Sequence, residues 1–243
     1  MGGAAAMTEW NGPIAMIARK VAPALAAGCP IIGKASERTP RSGVARAGLA
    51  ERAGFASGVL QVLSGWPTEI GSALTASRTV RKISFTGSTR VGQLLMQQSA
   101  DSIKRLSLEL GGNAPLIVFD DADLDVTIPG VMASKFRNAG QTCVCANRIL
   151  VQRGIYQRFS EKLLEAVAAL KVGDGFAADS TIGPLINQRA VEKVNSHIDD
   201  ALSQGATLLR GGISAAHGTF VEPTVLGNVT SSMRIAHEET FGP

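Results

Sequence analysis

Apolar residues along the chain alternate between short continuous runs and longer segments with helical spacing. Short apolar runs bounded by turn residues are typical of strands, whereas apolar positions at i, i+3 and i+4 are typical of amphipathic helices. The pattern predicts helices over 14–27, 43–53, 68–76, 89–100, 124–138, 155–170 and 189–204. It predicts strands over 30–33, 59–63, 82–85, 105–108, 115–119, 149–151 and 207–209. Strands that alternate with helices favour an α/β fold around a mostly parallel sheet.

The composition permits a large core and excludes two classes of partner. With 243 residues, 45% of them hydrophobic, the chain can form one large domain or two smaller ones. The pair Gly111 and Gly112 is the best candidate for a crossing between two domains. The net charge is only +4 and the basic residues are scattered, which argues against nucleic-acid binding. The longest apolar stretch, 21–32, contains two prolines and is shorter than the roughly 18 residues that a membrane span needs.

Cysteine content and the first residues bear on the compartment. Three cysteines, an odd number, do not form a disulfide framework and favour a reducing compartment. The start MGGAAAMTEW has Ala6 where a myristoylation signal has Ser or Thr, and it lacks the positive region of a signal peptide. We therefore expect a cytoplasmic protein, with the mitochondrion as the alternative.

Cys143 is the first candidate for chemistry. It lies in the segment FRNAGQTCVCANR (136–148), between a predicted helix and the apolar run that begins at Ile149. A cysteine in a polar turn is accessible, and its thiolate is a strong nucleophile. Taken alone, it is equally consistent with a small buried core residue, since free cysteines are commonly buried.

A second segment, LELGGN (108–113), places Glu109 beside two glycines, where a carboxylate with a raised pKa can activate water as a general base. These two segments and EETFGP (238–243), in this order, resemble the aldehyde dehydrogenase superfamily. Within it, the pair Cys143 and Cys145 and two arginines most resemble the succinate-semialdehyde dehydrogenases.

The resemblance implies the fold and the domains. It predicts part of a Rossmann-type cofactor domain over 1–110 and most of an α/β catalytic domain over 111–243, truncated at both ends. It runs from Trp10 to Pro243, about half of a typical member, and the first nine residues do not look like the usual lead-in. Full-length members are expected to be homo-oligomers, which is doubtful for this fragment.

Two segments are candidates for cofactor binding. In ISFTGSTRVG (83–92) a glycine turn at Gly87 and Ser88 precedes a helix, an arrangement that offers N–H groups to phosphate or simply caps the helix. In KASERTP (34–40), Lys34 and Glu37 follow a predicted strand, and the alternative is an ordinary exposed loop.

The resemblance assigns Gly87 and Ser88 to the pyrophosphate, and Lys34 and Glu37 to the adenosine ribose. A carboxylate at Glu37 repels a 2'-phosphate, so NAD is expected over NADP. Gly33 and Ala35 replace a larger apolar residue and a proline, which predicts a looser loop.

Further roles are likewise implied by the resemblance. Glu239 and Phe241 position the nicotinamide ribose and ring, and Trp10 and Leu110 are further cofactor contacts. Asn11, in WNGP, shares the thiohemiacetal oxyanion with the backbone N–H of the nucleophilic cysteine; without the resemblance it is only a turn residue.

The implied reaction is oxidation of succinic semialdehyde to succinate through a thiohemiacetal and a thioester on Cys143, with Glu109 activating water. Arg19 and Arg137 would bind the distal carboxylate, a bidentate task suited to guanidinium. Surface ion pairs are the alternative for both. Cys145 is a candidate redox partner of Cys143.

Two other functions stay open: a dehydrogenase for another semialdehyde or aliphatic aldehyde, and a non-catalytic chain that binds cofactor weakly or associates with full-length relatives. Metal binding is not expected, because the Cys-X-Cys pair has no companion ligand at zinc spacing. His197, His217 and His237 have no conspicuous carboxylate or serine motif beside them, and none is a candidate base.

Overall fold

The computed structural model describes residues 2–213 and 218–243. His217 therefore lies outside the described residues. The chain forms two compact units, Met1–Gly111 and Gly112–Pro243.

The first unit is built around a parallel sheet. Its strands are β1 (Gly3–Met7), β2 (Ile31–Lys34), β3 (Leu60–Leu63), β4 (Val80–Thr86) and β5 (Arg105–Glu109), in the order β3-β2-β1-β4-β5. Its helices are α1 (Ala15–Ala26), α2 (Pro40–Arg52), α3 (Pro67–Ala76) and α4 (Thr89–Ser99), and α4 continues into a short 3-10 helix, Ala100–Ser102. All strand pairs are parallel, as expected when a helix connects each strand to the next.

β1 is the central strand, and Ala5 pairs with Ile32 on one side and Ile83 on the other. Ala4 and Ala6 pack in the cluster that contains Ile17 of α1, whereas Ala5 packs in a second cluster with residues of α3 and α4. Because successive strand residues point to opposite faces, helices cover both faces of the sheet.

The sequence did not predict β1, which lies within the first nine residues, the segment that does not look like the family's usual lead-in. The segment GAAAM has no β-branched or aromatic residue, the usual signal of a strand. Its small side chains are instead what the central position requires, since Ala5 and Ala6 are almost fully buried.

The second unit contains two small sheets. β6 (Ala114–Val118) and β7 (Ala146–Val151) pair in parallel, and β8 (Thr207–Arg210) and β9 (Val225–Gly227) pair antiparallel. Its helices are α5 (Leu124–Lys135), α6 (Tyr156–Ala168) and α7 (Gln188–Ser203), with a left-handed turn within Arg137–Gly140 and a short 3-10 helix at Arg234–Ala236. One apolar cluster joins α5, α6 and α7 to the β6–β7 sheet.

Each predicted helix and strand is present, with ends that differ by a few residues. Three ends differ by three residues: α2 begins at Pro40, β7 begins at Ala146, and α5, which was predicted to reach Asn138, ends at Lys135. β9 was not predicted, because three residues give too short a pattern to identify. Among the described residues, no helix has the length and apolar character needed to cross a membrane.

The loop after β2 is packed more tightly than predicted. Ala35 is buried, and a Cβ atom on Gly43 of α2 would lie 2.7 Å from the Ala35 Cβ. A Cβ on Gly33 would lie 3.2 Å from Ile17 Cδ1. The small residue at position 33 therefore permits α1 to pack closely on β2, and the small residue at position 35 permits α2 to pack closely on the loop after β2. The expectation of a loosened loop is wrong.

This packing predicts opposite effects for two glycines of α2. Gly43→Ala should destabilise the chain by about 1–3 kcal/mol, since the new methyl group overlaps Ala35 in a filled site. The control is Gly48→Ala, which meets nothing within 4 Å and should stabilise by about 0.5–1 kcal/mol through helix propensity. Urea unfolding of the two variants measures both changes, and equal effects would contradict the packing argument.

Candidate active site

The loop that carries Cys143 begins with a strained turn. Asn138, Ala139 and Gly140 have φ values of 54°, 54° and 70°, a left-handed conformation that is costly for any residue with a side chain. A Cβ atom on Gly140 would overlap the carbonyl oxygen of Gly242. The glycine is therefore required twice, by its backbone angle and by the close approach of the EETFGP segment.

The two cysteines of the loop have different surroundings. Cys145 is 1% exposed, and its Sγ donates to the carbonyl oxygens of Lys135 (3.3 Å) and Gly140 (3.4 Å) and lies 2.8 Å from Thr142 Oγ1. Cys143 is partly exposed. Cys143 is thus the more accessible thiol, and Cys145 is held as part of the loop's interior.

Gln141, which the sequence analysis missed, anchors the same loop. It is 4% exposed, its Oε1 accepts from the backbone N–H of Ile186 at 2.9 Å, and its Nε2 donates to the carbonyl of Pro184 at 3.4 Å. Only its position two residues before Cys143 could have suggested this role. Its partners lie more than forty residues away, at a distance in sequence that local patterns do not reveal.

Lys135, also missed, joins the cysteine loop to the end of the chain. Its Nζ donates to Asn147 Oδ1 at 2.9 Å and to the carbonyl of Gly242 at 2.8 Å. Burial lowers the pKa of Lys135 to about 8, and the nearby Cys145 opposes this shift. In the sequence, Lys135 is only a lysine near the end of a predicted helix that is rich in apolar residues. This pattern is common and does not mark a functional residue.

The EETFGP segment presents a carboxylate with spare acceptor capacity. Glu239 is partly buried, and its Oε1 has no hydrogen-bond partner. Burial raises the pKa of Glu239, and a hydrogen bond from the Gly112 backbone opposes the rise. A buried acceptor without a partner is costly, so a ligand hydroxyl fits here. Phe241 follows with a φ of 59°.

His197 of α7 lies against this segment. It is fully buried, its Nδ1 is 3.1 Å from Thr240 Oγ1, and its Nε2 is 3.2 Å from Glu238 Oε2. A carboxylate therefore accompanies this histidine in the fold, although no carboxylate motif is conspicuous beside it in the sequence. The contact was not visible in the sequence because Glu238 lies forty-one residues further along the chain.

In the first unit, Gly87 and Ser88 form the turn between β4 and α4. The Gly87 backbone N–H donates to the carbonyl of Glu109 at 3.0 Å, and Ser88 Oγ accepts from the N–H of Val91 at the start of α4. A Cβ on Gly87 would lie 2.5 Å from the Phe85 ring. Ser88 is exposed at a helix N-terminus, where anions are favoured, although its cap alone accounts for its place.

Leu110 and Glu109 continue from β5 in the same unit. Leu110 packs on α4, because a Cβ on Gly92 would lie 2.6 Å from Leu110 Cδ2. Glu109 is exposed.

Lys20 of α1, missed by the sequence analysis, is 8% exposed. Burial lowers the pKa of Lys20, while Glu9 and then Glu109 attract its charge. A buried lysine therefore interacts electrostatically with the candidate base within this unit.

Lys34 and Glu37 form an ion pair with an N···O distance of 2.8 Å. Lys34 is 5% exposed, and Glu37 is exposed to solvent. Burial acts to raise the pKa of Glu37, but the hydrogen bond and charge of Lys34 outweigh it and the net pKa is lowered. Glu37 therefore presents an ionised carboxylate beside a buried cation.

The remaining predicted site residues lie at three places in the chain. Trp10 and Asn11 lie in the partly buried bend before α1, and Arg19 is exposed on α1. Arg137 is exposed in the turn after α5. Arg19 belongs to the first unit and Arg137 to the second.

Residues 1–243, the whole chain, match the sequence profile of the aldehyde dehydrogenase family. The chain belongs to this family. The match includes the first nine residues, in agreement with their place in the central strand.

The chain is 59% identical to 3-sulfolactaldehyde dehydrogenase of Pseudomonas putida over 244 residues, covering 100% of this chain and 50% of that protein. It is 56% identical to the mitochondrial succinate-semialdehyde dehydrogenase of rice (Oryza sativa subsp. japonica), covering 98% of this chain and 45% of that protein. It is 55% identical to the NADP(+) succinate-semialdehyde dehydrogenase of Escherichia coli K12, covering 100% of this chain and 51% of that protein.

Solved structures agree in fold. The crystal structure of an E. coli NADP-dependent enzyme matches with a TM-score of 0.98 and 55% identity, covering 100% of this chain and 50% of that one. Succinate-semialdehyde dehydrogenase from Burkholderia pseudomallei matches with a TM-score of 0.97 and 59% identity, with the same coverage. The predicted α/β fold and family are confirmed. The chain spans about half the length of the curated relatives it matches.

The burial of Lys135 predicts a rise in stability at alkaline pH. The pKa is about 8 in the folded unit and 10.5 in the unfolded chain, so between these values the unfolded state binds more protons and stability increases with pH. The total gain is of the order of 3 kcal/mol. Lys135→Met should abolish this rise.

Urea unfolding between pH 8 and 10.5, followed by circular dichroism, measures the effect. Lys171→Met, which changes an exposed lysine of the same unit, is the control and should keep the rise. A rise that persists in Lys135→Met would show that another group titrates.

Proposed function

We propose that this chain carries the chemistry of NAD(P)-dependent aldehyde oxidation, converting succinic semialdehyde to succinate. The observation that supports it most is the difference between the two loop cysteines. Cys143 is partly exposed in a loop fixed by Gln141 and Cys145, whereas Cys145 is buried and hydrogen-bonded. We therefore assign the nucleophile to Cys143 and keep Cys145 as a proposed redox partner.

In the proposed reaction, the Cys143 thiolate forms a bond to the aldehyde carbon, and the carbonyl oxygen becomes an oxyanion. The Asn11 side-chain amide and the backbone N–H of Cys143 donate to this oxyanion. When bound, the cofactor would supply the acceptor for the hydride that leaves the carbon, and a thioester would remain on Cys143. Glu109 takes a proton from water, the hydroxide attacks the thioester, and Cys143 leaves as a thiolate.

The residues proposed to hold the cofactor are those that the family resemblance assigns to it. Gly87 and Ser88 bind the pyrophosphate at the start of α4, and Lys34 and Glu37 bind the adenosine ribose. The remaining contacts are Trp10, Leu110, Glu239 and Phe241. The acceptor without a partner on Glu239 supports a ribose hydroxyl at that atom.

The proposed substrate carries an anionic group away from its aldehyde. The relatives are named for 3-sulfolactaldehyde, succinate semialdehyde and glutarate semialdehyde, and each of these has a sulfonate or carboxylate. The exposed guanidinium groups of Arg19 and Arg137 suit such a group. Two plant relatives are named as mitochondrial, so the mitochondrion remains the alternative to the proposed cytoplasmic location.

An assay of NADH formation tests the function. We expect succinic semialdehyde to be oxidised about thirty- to a hundredfold more efficiently than propanal, because hydrogen bonds from arginine to the distal carboxylate contribute about 2–3 kcal/mol. Cys143→Ala should lower turnover about a thousandfold or more. Cys29→Ala, the same change in the first unit, is the control.

If propanal were oxidised as efficiently as succinic semialdehyde, binding of the distal carboxylate by Arg19 and Arg137 would be contradicted. A preference for glutaric semialdehyde would favour the alternative function, a dehydrogenase for another semialdehyde. Activity retained by Cys143→Ala would place the nucleophile elsewhere. Silence towards every aldehyde, with native mass showing aggregates or complexes with a full-length relative, would favour the non-catalytic chain.

We propose NAD as the preferred cofactor, on the basis of the ionised carboxylate at Glu37. Glu37→Gln removes the charge that would repel a 2'-phosphate, so affinity for NADP+ relative to NAD+ should rise about tenfold or more. Calorimetric titration with each nucleotide measures the ratio. Glu51→Gln, at an exposed glutamate of α2, is the control and should leave the ratio unchanged. An unchanged ratio in Glu37→Gln would contradict the assignment.

A further inference from the structure

His197 is an imidazole on an otherwise apolar helix face. The buried face of α7 consists of Val191, Val194, His197, Ile198 and Ala201. A buried polar ring on such a face is costly unless both nitrogens have partners. His197 meets this requirement through two residues of the EETFGP segment, Glu238 and Thr240.

The partners define the tautomer. An ionised carboxylate only accepts hydrogen bonds, so Nε2 carries the proton and donates to Glu238, and Nδ1 accepts from the Thr240 hydroxyl. Burial lowers the pKa of His197 and favours this neutral form; the hydrogen bond to Glu238 opposes that shift, and the charges of Lys193 and Arg234 reinforce it.

Glu238 is fixed from a second side. The guanidinium of Arg234 donates to both of its carboxylate oxygens at 3.1 Å. The hydrogen bonds from Arg234 and then His197 lower the pKa of Glu238 to about 2. The carboxylate therefore stays ionised and keeps its acceptor role toward the ring throughout the neutral range.

We propose that His197 is a positioning residue: by holding Glu238 and Thr240, it fixes the intervening Glu239 so that its free oxygen accepts from the nicotinamide-side ribose. The proposal rests on the cofactor role given to Glu239 under the proposed function. It explains how the segment keeps a buried acceptor without a partner beside a left-handed Phe241. Both features are costly and persist only where the neighbours are anchored.

The anchoring is complete on both sides of Glu239. Thr240 is 7% exposed and bound to His197, and the carbonyl of Gly242 accepts from Lys135. Loss of the imidazole would release the Thr240 hydroxyl and remove one of the contacts of Glu238, while Arg234 still held Glu238 and Lys135 still held Gly242. The effect should therefore concentrate at Glu239 and spare the adenosine end of the cofactor.

The test compares binding of NAD+ and ADP-ribose, which contain the second ribose, with binding of ADP, which lacks it. Thr240→Val and His197→Leu should weaken NAD+ and ADP-ribose about tenfold, the contribution of about one hydrogen bond, and leave ADP within about twofold. Thr240→Ser keeps the hydroxyl and should restore wild-type binding. Amide hydrogen exchange of residues 238–242 should become about tenfold faster in the two disruptive variants only.

Equal weakening of ADP and NAD+, or unchanged exchange of residues 238–242, would overturn the positioning role. If His197→Leu does not fold, the Thr240→Val and Thr240→Ser pair decides the question. If the wild-type chain binds none of the three nucleotides, the proposed cofactor function fails and the ribose assignment with it. Amide exchange then still decides whether His197 holds the segment.

Discussion

The carbonyl oxygen of Gly242 contacts both the loop that carries Cys143 and the last residue of α5. It lies against Gly140, where no Cβ atom fits, and it accepts a hydrogen bond from Lys135 Nζ. On its other side, a Cβ on Gly242 would lie 2.5 Å from Val194 of α7. The left-handed turn before Cys143 and the segment of Glu239 and Phe241 are therefore held by one close backbone approach. A change at either glycine would move both.

The chemistry-bearing segments could be predicted from the sequence because each is local. A glycine turn before a helix, a cysteine in a polar loop and a lysine three residues before a glutamate are visible without knowing the fold. Resemblance of their order to a family then supplied roles that spacing alone does not give. The α/β class followed from alternating apolar patterns, and the structure keeps every predicted element.

The missed features share a physical cause, which is contact between distant residues. Gln141, Lys135 and His197 look ordinary in sequence, and their partners lie tens of residues away. The alanines of β1 carry no strand signal, because their role is set by the helices that cover both faces. The packing of Ala35 against Gly43 reversed a prediction made from residue size alone.

The position of β1 has a consequence for how the first unit folds. Within the described sheet, β1 precedes its partners β2 and, much later in the chain, β4, with Ala5 paired to both Ile32 and Ile83. Parallel pairing over such separations carries the entropic cost of closing long loops before the contacts that stabilise it can form. The pairing of β1 with β4 cannot form before β4 has been synthesised. The unit thus depends on its least distinctive segment remaining available while most of the sheet is still being synthesised.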